Sequence, residues 1–416
     1  MRVIADFHIH SKYSRACSKD LDLEHIDQWA RIKGIDIVGT GDFTHPAWHQ
    51  ELKDKLVEEK PGLFKLKGSD GKVLFILTTE ISCIFKQGGK TRRLHVCIFM
   101  PSLQAVDKFI NLLNDRKINL KSDGRPITGL SGIELAKVAL EADSKSLIIP
   151  AHAWTPWFSV FGSYSGFDSL AECFGDMTKH IYAIETGLSS DPPMNWRLSE
   201  LDKITLISNS DAHSPQNLGR EANVFEITPA ELSYQEISRI LKEKDRNKFL
   251  YTIEFFPEEG KYHWDGHLKC QIQFSPAQTK KHKGICPVCK KSLTVGVLNR
   301  VDQLANRPDG YQLDTIPYKS LVPLPEIIAE VLEQGKNTKK VNELYQKMIK
   351  SAGNEFKILL DLSEAELLNI TEAEVAEGII NMRLGKVEIS PGYDGVYGVV
   401  KALPKNRKKL RQESLF

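Results

Sequence analysis

The sequence predicts an α/β fold, with a βα-barrel in its first half, a small zinc-binding domain after it and helices towards the C-terminal end. The first observation is the alternation of strand-like and helix-like segments up to about residue 227, which is typical of a mostly parallel sheet. The second is that imidazole and carboxylate side chains stand at or near the strand ends, where a barrel carries its chemistry. The third is a spaced set of histidine and cysteine residues beyond the barrel.

Seven strand-like runs and three helical segments are predicted in the first half. The strands are Val3–Ile9, Ile35–Thr40, Val73–Ile84, Leu94–Met100, Leu147–His152, Ile181–Thr186 and Ile204–Ser208, and the helices are Leu23–Lys33, Leu103–Leu113 and Ile133–Ala142. Their apolar residues recur with the periods that strands and helices require.

A helix over 229–245 and a strand over Phe249–Phe256 follow the barrel in this reading. Helical patterns dominate from about residue 320, at Leu324–Leu332, Val341–Ala352, Ile358–Leu362, Glu364–Leu368 and Glu372–Leu384. We therefore expect a metallohydrolase barrel at 1–245, a zinc-binding domain at 246–318, a helical DNA-binding domain at 319–404 and a basic tail at 405–416.

Charge and cysteine usage limit the classes of function. The net charge of +2 gives no global basic excess, so a nucleic-acid surface must be local. Four of the seven cysteines are scattered and three are clustered, which indicates reduced thiols and a metal site. We find no signal peptide and no long apolar span, and so expect a cytoplasmic, nucleoid-associated protein with no membrane partner.

Metal-ligating residue types mark the strand ends. His8-Ile9-His10 and Asp211-Ala212-His213 each close an apolar run, and two histidines one residue apart on a strand share a face. A lone buried histidine or aspartate is usually structural, but this repeated pattern predicts a multinuclear site. The candidate ligands are His8, His10, Asp42, His45, Glu80, His95, His152, Asp211 and His213. Such ligands bind Zn²⁺ or Mn²⁺, with Mg²⁺ as a further candidate, and leave positions open for water and substrate.

A second metal site is predicted from ligand pairs on tight turns. His267 and Cys270 are separated by two residues, as are Cys286 and Cys289, which is typical of a closed tetrahedral zinc site. His267 has the best spacing for the fourth ligand, while His263 and His282 remain alternatives. Such a site folds a domain that is too small to have a core of its own. The lysines at 280, 281 and 283 are as consistent with a solvated loop as with DNA contact.

The barrel constellation resembles the polymerase and histidinol phosphatase (PHP) family. That resemblance implies a distorted seven-stranded barrel that hydrolyses phosphate esters, with Glu80 as the bridging carboxylate and His95 and His152 as the next imidazoles. The match departs at Gly41–His45, where two residues separate an aspartate and a histidine that are usually adjacent. It departs also at Ser11–Arg15, which lacks a further histidine. The ligands of a third metal are therefore open.

Nearly the whole chain is similar to the endonuclease Q family. The similarity rests on domain order and on the stretches Gly260–His267, Gly296–Asp302 and Arg383–Tyr397. It implies a DNA-repair endonuclease that recognises deaminated bases (uracil, hypoxanthine, xanthine) and abasic sites in double-stranded DNA. Such an enzyme flips the damaged base out and hydrolyses the phosphodiester 5′ to the lesion.

Catalysis is expected from Asp211, Glu80, His8 and His10, since clustered divalent ions generate hydroxide and stabilise both oxygens of a displacement. Glu185 is a candidate general base, or more simply a carboxylate that supports a ligand. Candidate DNA or base contacts are Lys12, Arg15, Trp154, Trp157 and Phe158, although each aromatic ring is equally consistent with packing over the barrel mouth.

The final residues resemble a bacterial sliding-clamp-binding peptide. Gln412, Leu415 and Phe416 follow a basic tether, and a free terminus can insert its apolar side chains into a groove. Two alternative functions remain: a PHP-type phosphatase that acts on a small phosphate ester, and a non-catalytic DNA-binding adaptor. The first would not need the zinc module or the basic tail, and the second would not need a complete ligand set.

Overall fold

The computed structural model describes residues 1–403 and has a mixed α/β fold. The strands are β1 (Arg2–Asp6), β2 (Ile37–Gly39), β3 (Leu56–Lys60), β4 (Leu63–Leu66), β5 (Leu74–Gln87), β6 (Lys90–Met100), β7 (Ile127–Thr128), β8 (Leu147–Pro150), β9 (Ala183–Glu185), β10 (Thr205–Ile207), β11 (Ala222–Glu226), β12 (Phe249–Glu254), β13 (Asp265–His267), β14 (Ile272–Phe274), β15 (Tyr318–Ser320), β16 (Glu388–Ser390) and β17 (Val399–Lys401). The α-helices are α1 (Leu23–Lys33), α2 (Pro46–Lys55), α3 (Leu103–Asp115), α4 (Gly132–Ala142), α5 (Leu170–Phe174), α6 (Pro192–Trp196), α7 (Tyr234–Glu243), α8 (Pro276–Lys281), α9 (Val297–Leu304), α10 (Leu324–Leu332), α11 (Lys339–Ala352), α12 (Glu364–Leu368) and α13 (Ala373–Arg383).

Seven strands form a distorted barrel. β1, β2 and β5 pair in parallel, β5, β6 and β8 pair antiparallel, and β9 pairs with β10 in parallel. Between β8 and β9, the backbone N–H of Ala153 donates to Glu185 at 2.9 Å. The ring closes where the backbone N–H of His10 donates to Ala212 at 3.1 Å. These strands correspond to the seven predicted runs, so the predicted barrel is confirmed.

The β5–β6 pair differs from the parallel arrangement expected of alternating units. The two strands are joined by Gly88 and Gly89, whose φ angles are 60° and 74°. Two residues with positive φ match the twist of a tight hairpin, which reverses the chain without a crossover helix. The long hairpin places Glu80 and His95 on neighbouring strands near the barrel mouth.

The sheet continues beyond the barrel on one side. β11 pairs antiparallel with β1, β12 pairs with β11, and β15 lies outside β12. β12 therefore joins the barrel sheet although it follows residue 245, the expected end of the first domain. The hairpin of β3 and β4 and the helix α2 were not predicted.

The C-terminal helices α10 to α13, with a π-helix at Lys357–Asp361, pack around an apolar core and rest on the barrel. A buried ion pair joins Lys33 of α1 to Glu355 at 2.6 Å, and the hydroxyl of Tyr345 donates to the same carboxylate at 2.6 Å. Within residues 1–403, no helix has the length and apolar character needed to cross a membrane.

Candidate metal centre at the barrel mouth

The candidate ligands are held by the ends of barrel strands and are largely buried. His8 and His10 follow β1, Glu80 lies in β5 and His95 lies in β6. Three further residues come shortly after strands and have a left-handed backbone conformation: Asp42 (φ 48°), His152 (φ 30°) and Asp211 (φ 46°). Non-glycine residues adopt this conformation infrequently, and it concentrates at functional sites where the surrounding structure enforces it.

One group of donor atoms is formed by His8, His10 and Asp211. Oδ1 of Asp211 lies 3.1 Å from Nε2 of His10 and 3.7 Å from Nε2 of His8. Oε2 of Glu80 also faces this group, at 3.4 Å from His10 and 3.8 Å from His8. Imidazole nitrogens and carboxylate oxygens therefore converge on one point.

A second group contains Glu80, His95 and His152. Oε1 of Glu80 lies 2.8 Å from Nδ1 of His95 and 3.0 Å from Nε2 of His152, and the two imidazole nitrogens are 3.3 Å apart. Glu80 thus presents one carboxylate oxygen to each group. Each oxygen of this carboxylate therefore faces a different set of imidazoles.

The donors fit divalent cations. Nε2 of His8 is buried and has no hydrogen-bond partner among residues 1–403, although buried polar atoms are nearly always paired. It points among acidic oxygens and another imidazole, which are the ligands preferred by Zn²⁺ and Mn²⁺.

Two further carboxylates orient the ligand histidines. Glu185, at the end of β9, lies 3.0 Å from Nδ1 of His8 and accepts the backbone N–H of His152 at 2.7 Å. Asp42 lies 3.1 Å from Nδ1 of His10 and accepts hydrogen bonds from Ser11. A carboxylate on the far ring nitrogen fixes the tautomer of a ligating histidine and increases its basicity.

The electrostatics keep the acidic ligands ionised. Burial alone would raise the pKa of Glu80, but His95, Arg125 and His8 together lower it well below its usual range. Burial likewise opposes ionisation of Asp211, yet its hydrogen bond with His10 and the charge of His8 lower its pKa. Burial lowers the pKa of His95 to about 4, which leaves its ring neutral and able to ligate.

Three predicted ligands lie outside both groups. The oxygens of Asp42 contact His10, Ser11 and Ser14, so this residue orients a ligand. The ring of His45 stacks on Tyr13 at 4.4 Å. Nδ1 of His213 lies 2.8 Å from the backbone oxygen of Asp211. These three residues belong to neither group, and direct ligation by them stays a prediction; Nδ1 of His45 is buried without a hydrogen-bond partner among residues 1–403.

The predicted zinc ligands come together in a separate cluster. The ligand atoms of His267, Cys270, Cys286 and Cys289 all lie within 4.8 Å of one another. Neither alternative histidine joins them, since His263 is buried elsewhere and His282 stacks on Phe274 at 4.7 Å. The hairpin that contains β16 and β17 packs on this module, with the backbone N–H of Trp264 donating to Gly392 at 3.0 Å.

The comparisons with known proteins cover the whole chain. It superposes on the crystal structure of the lesion-specific endonuclease PfuEndoQ from Pyrococcus furiosus with a TM-score of 0.86 and 34% identity, over 100% of this chain and 98% of that one. A crystal structure of Endonuclease Q in complex with a 27-mer duplex substrate with an abasic lesion at the active site gives a TM-score of 0.84 and 35% identity, over 97% of each chain. The chain belongs to the endonuclease Q family.

Two further comparisons are narrower. The family model for the MJ0043 C-terminal domain matches residues 323–386. Protein MJ0043 of Methanocaldococcus jannaschii is 35% identical over 267 residues, which is 63% of this chain and 33% of that protein, so the match spans about a third of the relative's length.

The predicted fold class, a distorted (β/α)7 PHP barrel with a Cys-rich module and C-terminal helices, is confirmed by membership of the endonuclease Q family.

The predicted DNA contacts differ in their exposure. Trp154 is completely buried, and its indole N–H donates to Asn195 at 2.8 Å. It therefore packs the loop and has no surface to offer to DNA, which corrects its prediction. Lys12 is paired with Glu51 at 2.9 Å, whereas the side chain of Arg15 is 73% exposed.

The other aromatic residues near the metal centre begin with Phe158, which contacts a candidate ligand. The ring of Phe158 lies 4.7 Å from that of His95. Trp157 stacks on Tyr164 at 4.6 Å with an interplanar angle of 5°, and both rings are partly exposed. Tyr262, from the segment that leads into the zinc module, contacts the Trp157 ring edge-on. This partly exposed stack joins the loop after β8 to the segment that leads into the zinc module.

Arg125 was not predicted as a site residue. Its guanidinium donates to Oε2 of Glu80 at 3.0 Å, and its side chain is about one quarter exposed (26%). It lies in the loop before β7, where no motif distinguishes it in the sequence. The predicted clamp-binding residues Gln412, Leu415 and Phe416 and the basic stretch 405–411 lie outside the described residues.

Proposed function

We propose that this protein is a metal-dependent DNA-repair endonuclease that cuts the phosphodiester 5′ to abasic sites and to deaminated bases. The observation that carries the proposal is the pair of donor groups that share Glu80. Family membership adds the substrate class, since one relative is a lesion-specific endonuclease and another is in complex with abasic duplex DNA. The alternatives, a small-ester phosphatase and a non-catalytic adaptor, account for only part of the chain.

We assign each residue a role as a metal ligand or as a support for a ligand according to its position. His8, His10, Glu80 and Asp211 would hold one divalent ion, and Glu80, His95 and His152 a second. When bound, these ions would lower the pKa of a coordinated water and neutralise charge on the phosphate. Glu185 and Asp42 hold the imidazoles in place through Nδ1, so that Nε2 of His8 and of His10 remains directed into the site. We propose Zn²⁺ as the structural ion and Zn²⁺, Mn²⁺ or Mg²⁺ as catalytic ions.

Recognition is proposed to use the aromatic stack and local basic residues. Trp157 and Phe158 offer ring faces beside the metal centre, and a base that leaves the duplex can stack on such a face. Arg15 is exposed near the same mouth and can contact a backbone phosphate. We further propose that the helical region after residue 319 belongs to the DNA-binding surface, as the predicted division into four domains implies.

The experiment is a nicking assay with the full chain on end-labelled duplexes that differ at one position: abasic site, uracil, hypoxanthine or an undamaged base. Each duplex is incubated with Zn²⁺, Mn²⁺ or Mg²⁺, and the product ends are mapped on a sequencing gel. We expect a single cut 5′ to the lesion and none in undamaged DNA. Hydrolysis of p-nitrophenyl phosphate without nicking would favour the small-ester phosphatase. Lesion binding without any hydrolysis would favour the adaptor.

The terminal peptide is proposed to bind a sliding clamp. Deletion of residues 412–416 leaves the basic stretch before it intact, so a pull-down with the clamp isolates the contribution of the peptide. We expect the deletion to abolish recovery of the clamp while nicking stays unchanged. Equal recovery of clamp by both proteins would refute this partner.

A further inference from the structure

A guanidinium group contacts the carboxylate that the two donor groups share at the barrel mouth. Arg125 donates to the Glu80 oxygen that faces His8 and His10. The other oxygen of Glu80 lies 2.8 Å from His95 and 3.0 Å from His152. Arg125 therefore contacts the one carboxylate that faces both groups.

The loop that carries Arg125 is held from several directions. Oδ1 of Asp123 accepts the backbone N–H groups of Arg125 and of Arg15, each at 3.2 Å. The backbone N–H of Gly124 donates to Tyr13 at 3.1 Å, and a Cβ at this glycine would collide with the carboxylate of Asp42. The guanidinium is thus placed by a rigid backbone and does not reach the site from a mobile surface chain.

This placement is unfavourable for metal binding alone. A fixed positive charge 3.0 Å from a ligand oxygen competes with a cation for that oxygen and repels the ion electrostatically. A site that served only to hold metal would gain affinity without it. The same charge is favourable once an anion is present, because a guanidinium can donate two parallel hydrogen bonds to phosphate oxygens.

We propose that Arg125 is a substrate-binding catalytic residue that donates to a non-bridging oxygen of the scissile phosphate and stabilises the charge that develops there during cleavage. The partial exposure of its side chain leaves donor groups accessible from the mouth. Arg15 also donates its backbone N–H to Asp123, but its side chain is largely exposed. It would contact a phosphate further along the DNA strand. This inference rests on the proposed nuclease function.

The test compares Arg125→Ala, Arg125→Lys and Arg125→Gln with the wild type in single-turnover nicking of abasic duplex, with bound metal measured in each. We expect the alanine variant to be slower by about 100-fold, the usual cost of losing one preorganised donor to a developing anion. Lysine should recover part of this loss because it keeps the charge but not the paired donors. Arg246→Ala, which removes an exposed arginine paired with Asp314, is the matched control and should nick normally.

Binding of inorganic phosphate to the metal-loaded proteins, measured by calorimetry, separates this inference from the function on which it rests. We expect Arg125→Ala to bind phosphate about tenfold more weakly, with unchanged metal content. If the wild type does not nick, the nuclease proposal fails while phosphate binding still decides the role of Arg125. Phosphate affinity and nicking within about threefold of wild type would overturn the inference. So would loss of bound metal in proportion to rate, since Arg125 would then only position Glu80. Should the alanine variant not fold, the lysine and glutamine variants decide by the same criteria.

Discussion

The two candidate metal sites of this protein are built in opposite ways. At the barrel mouth, His10 and Glu80 are essentially unexposed, and each is attached to a strand that the apolar core already holds. In the zinc module, the two apolar side chains buried between Pro257 and Gly296 are Cys286 and Leu293. The barrel thus provides a framework into which ions can be inserted, whereas the module has almost no core of its own.

Hydrogen bonding shows the same difference. In the barrel, Asp42 contacts Nδ1 of His10 and Glu185 contacts Nδ1 of His8, so protein groups orient both ligand histidines. The ligands of the module lie on short turns and three-residue strands, and are brought together by the spacing of the two pairs. Metal loss should therefore cost the barrel its chemistry and cost the module its fold.

The largest expected effect is on the module. Simultaneous Cys286→Ser and Cys289→Ser substitutions remove two of the four ligands, and ion binding of this kind contributes about 10 kcal/mol to the folding of small zinc domains. We expect zinc content to fall and hydrogen exchange to increase over residues 261–296. Barrel peptides, including those of β1 and β5, serve as the internal control and should stay protected. Unchanged zinc stoichiometry and exchange would contradict a structural zinc site.

The next effect breaks the barrel site without breaking its fold. Asp211→Asn removes the charge that faces His8 and His10 while it preserves the shape of the side chain. We expect nicking to fall by more than about 100-fold, beyond the cost of losing a supporting partner, with DNA binding and melting temperature retained. Single-turnover kinetics and a binding assay on abasic duplex measure the two properties. Normal nicking at saturating metal would refute the role of Asp211.

The contrast also separates what the sequence could predict from what it could not. Ligand spacing is local information, so His8, His10, Asp211 and the cysteine pairs could be recognised directly. The burial of Trp154 depends on Asn195, a residue distant in the chain, and aromatic residues after a strand end give no sign of it. Arg125 reaches Glu80 from a loop whose own sequence has no signature. The roles of such residues are set by tertiary contacts.

A smaller effect should follow from weakening the support of a ligand. Glu185→Gln keeps a hydrogen-bond acceptor near His8 but removes the charge that favours its ligating form. We expect about a tenfold loss of metal affinity and of nicking rate. Glu254→Gln is the matched control, since Glu254 is also a fully buried glutamate at a strand end but contacts Thr186 and Ser208 instead of a ligand. Equal metal affinity in the two variants would contradict the role of Glu185.

The last effect lies outside both metal sites and concerns the stability contributed by Glu254 itself. Burial raises the pKa of this carboxyl group from 4.5 to about 8, and Glu221 is buried beside it with a pKa raised by burial and by the charge of Glu254. Between pH 4.5 and about pH 8, the Glu254 carboxyl group keeps its proton in the folded protein and releases it in the unfolded chain. Stability is therefore greatest below the unfolded pKa and falls as pH rises through the folded one.

Glu254→Gln replaces this carboxyl group with a neutral side chain of the same shape, so the variant should lose that part of the pH dependence. We expect it to be more stable than wild type by about 4 kcal/mol near pH 9 and nearly equal to it near pH 5. Thermal unfolding across this range measures the difference, with the exposed Glu141→Gln as control. Melting curves of wild type and variant that shift in parallel with pH would show that Glu254 is ionised throughout, and that the hydroxyls of Thr186, Ser208 and Thr252 compensate for its burial.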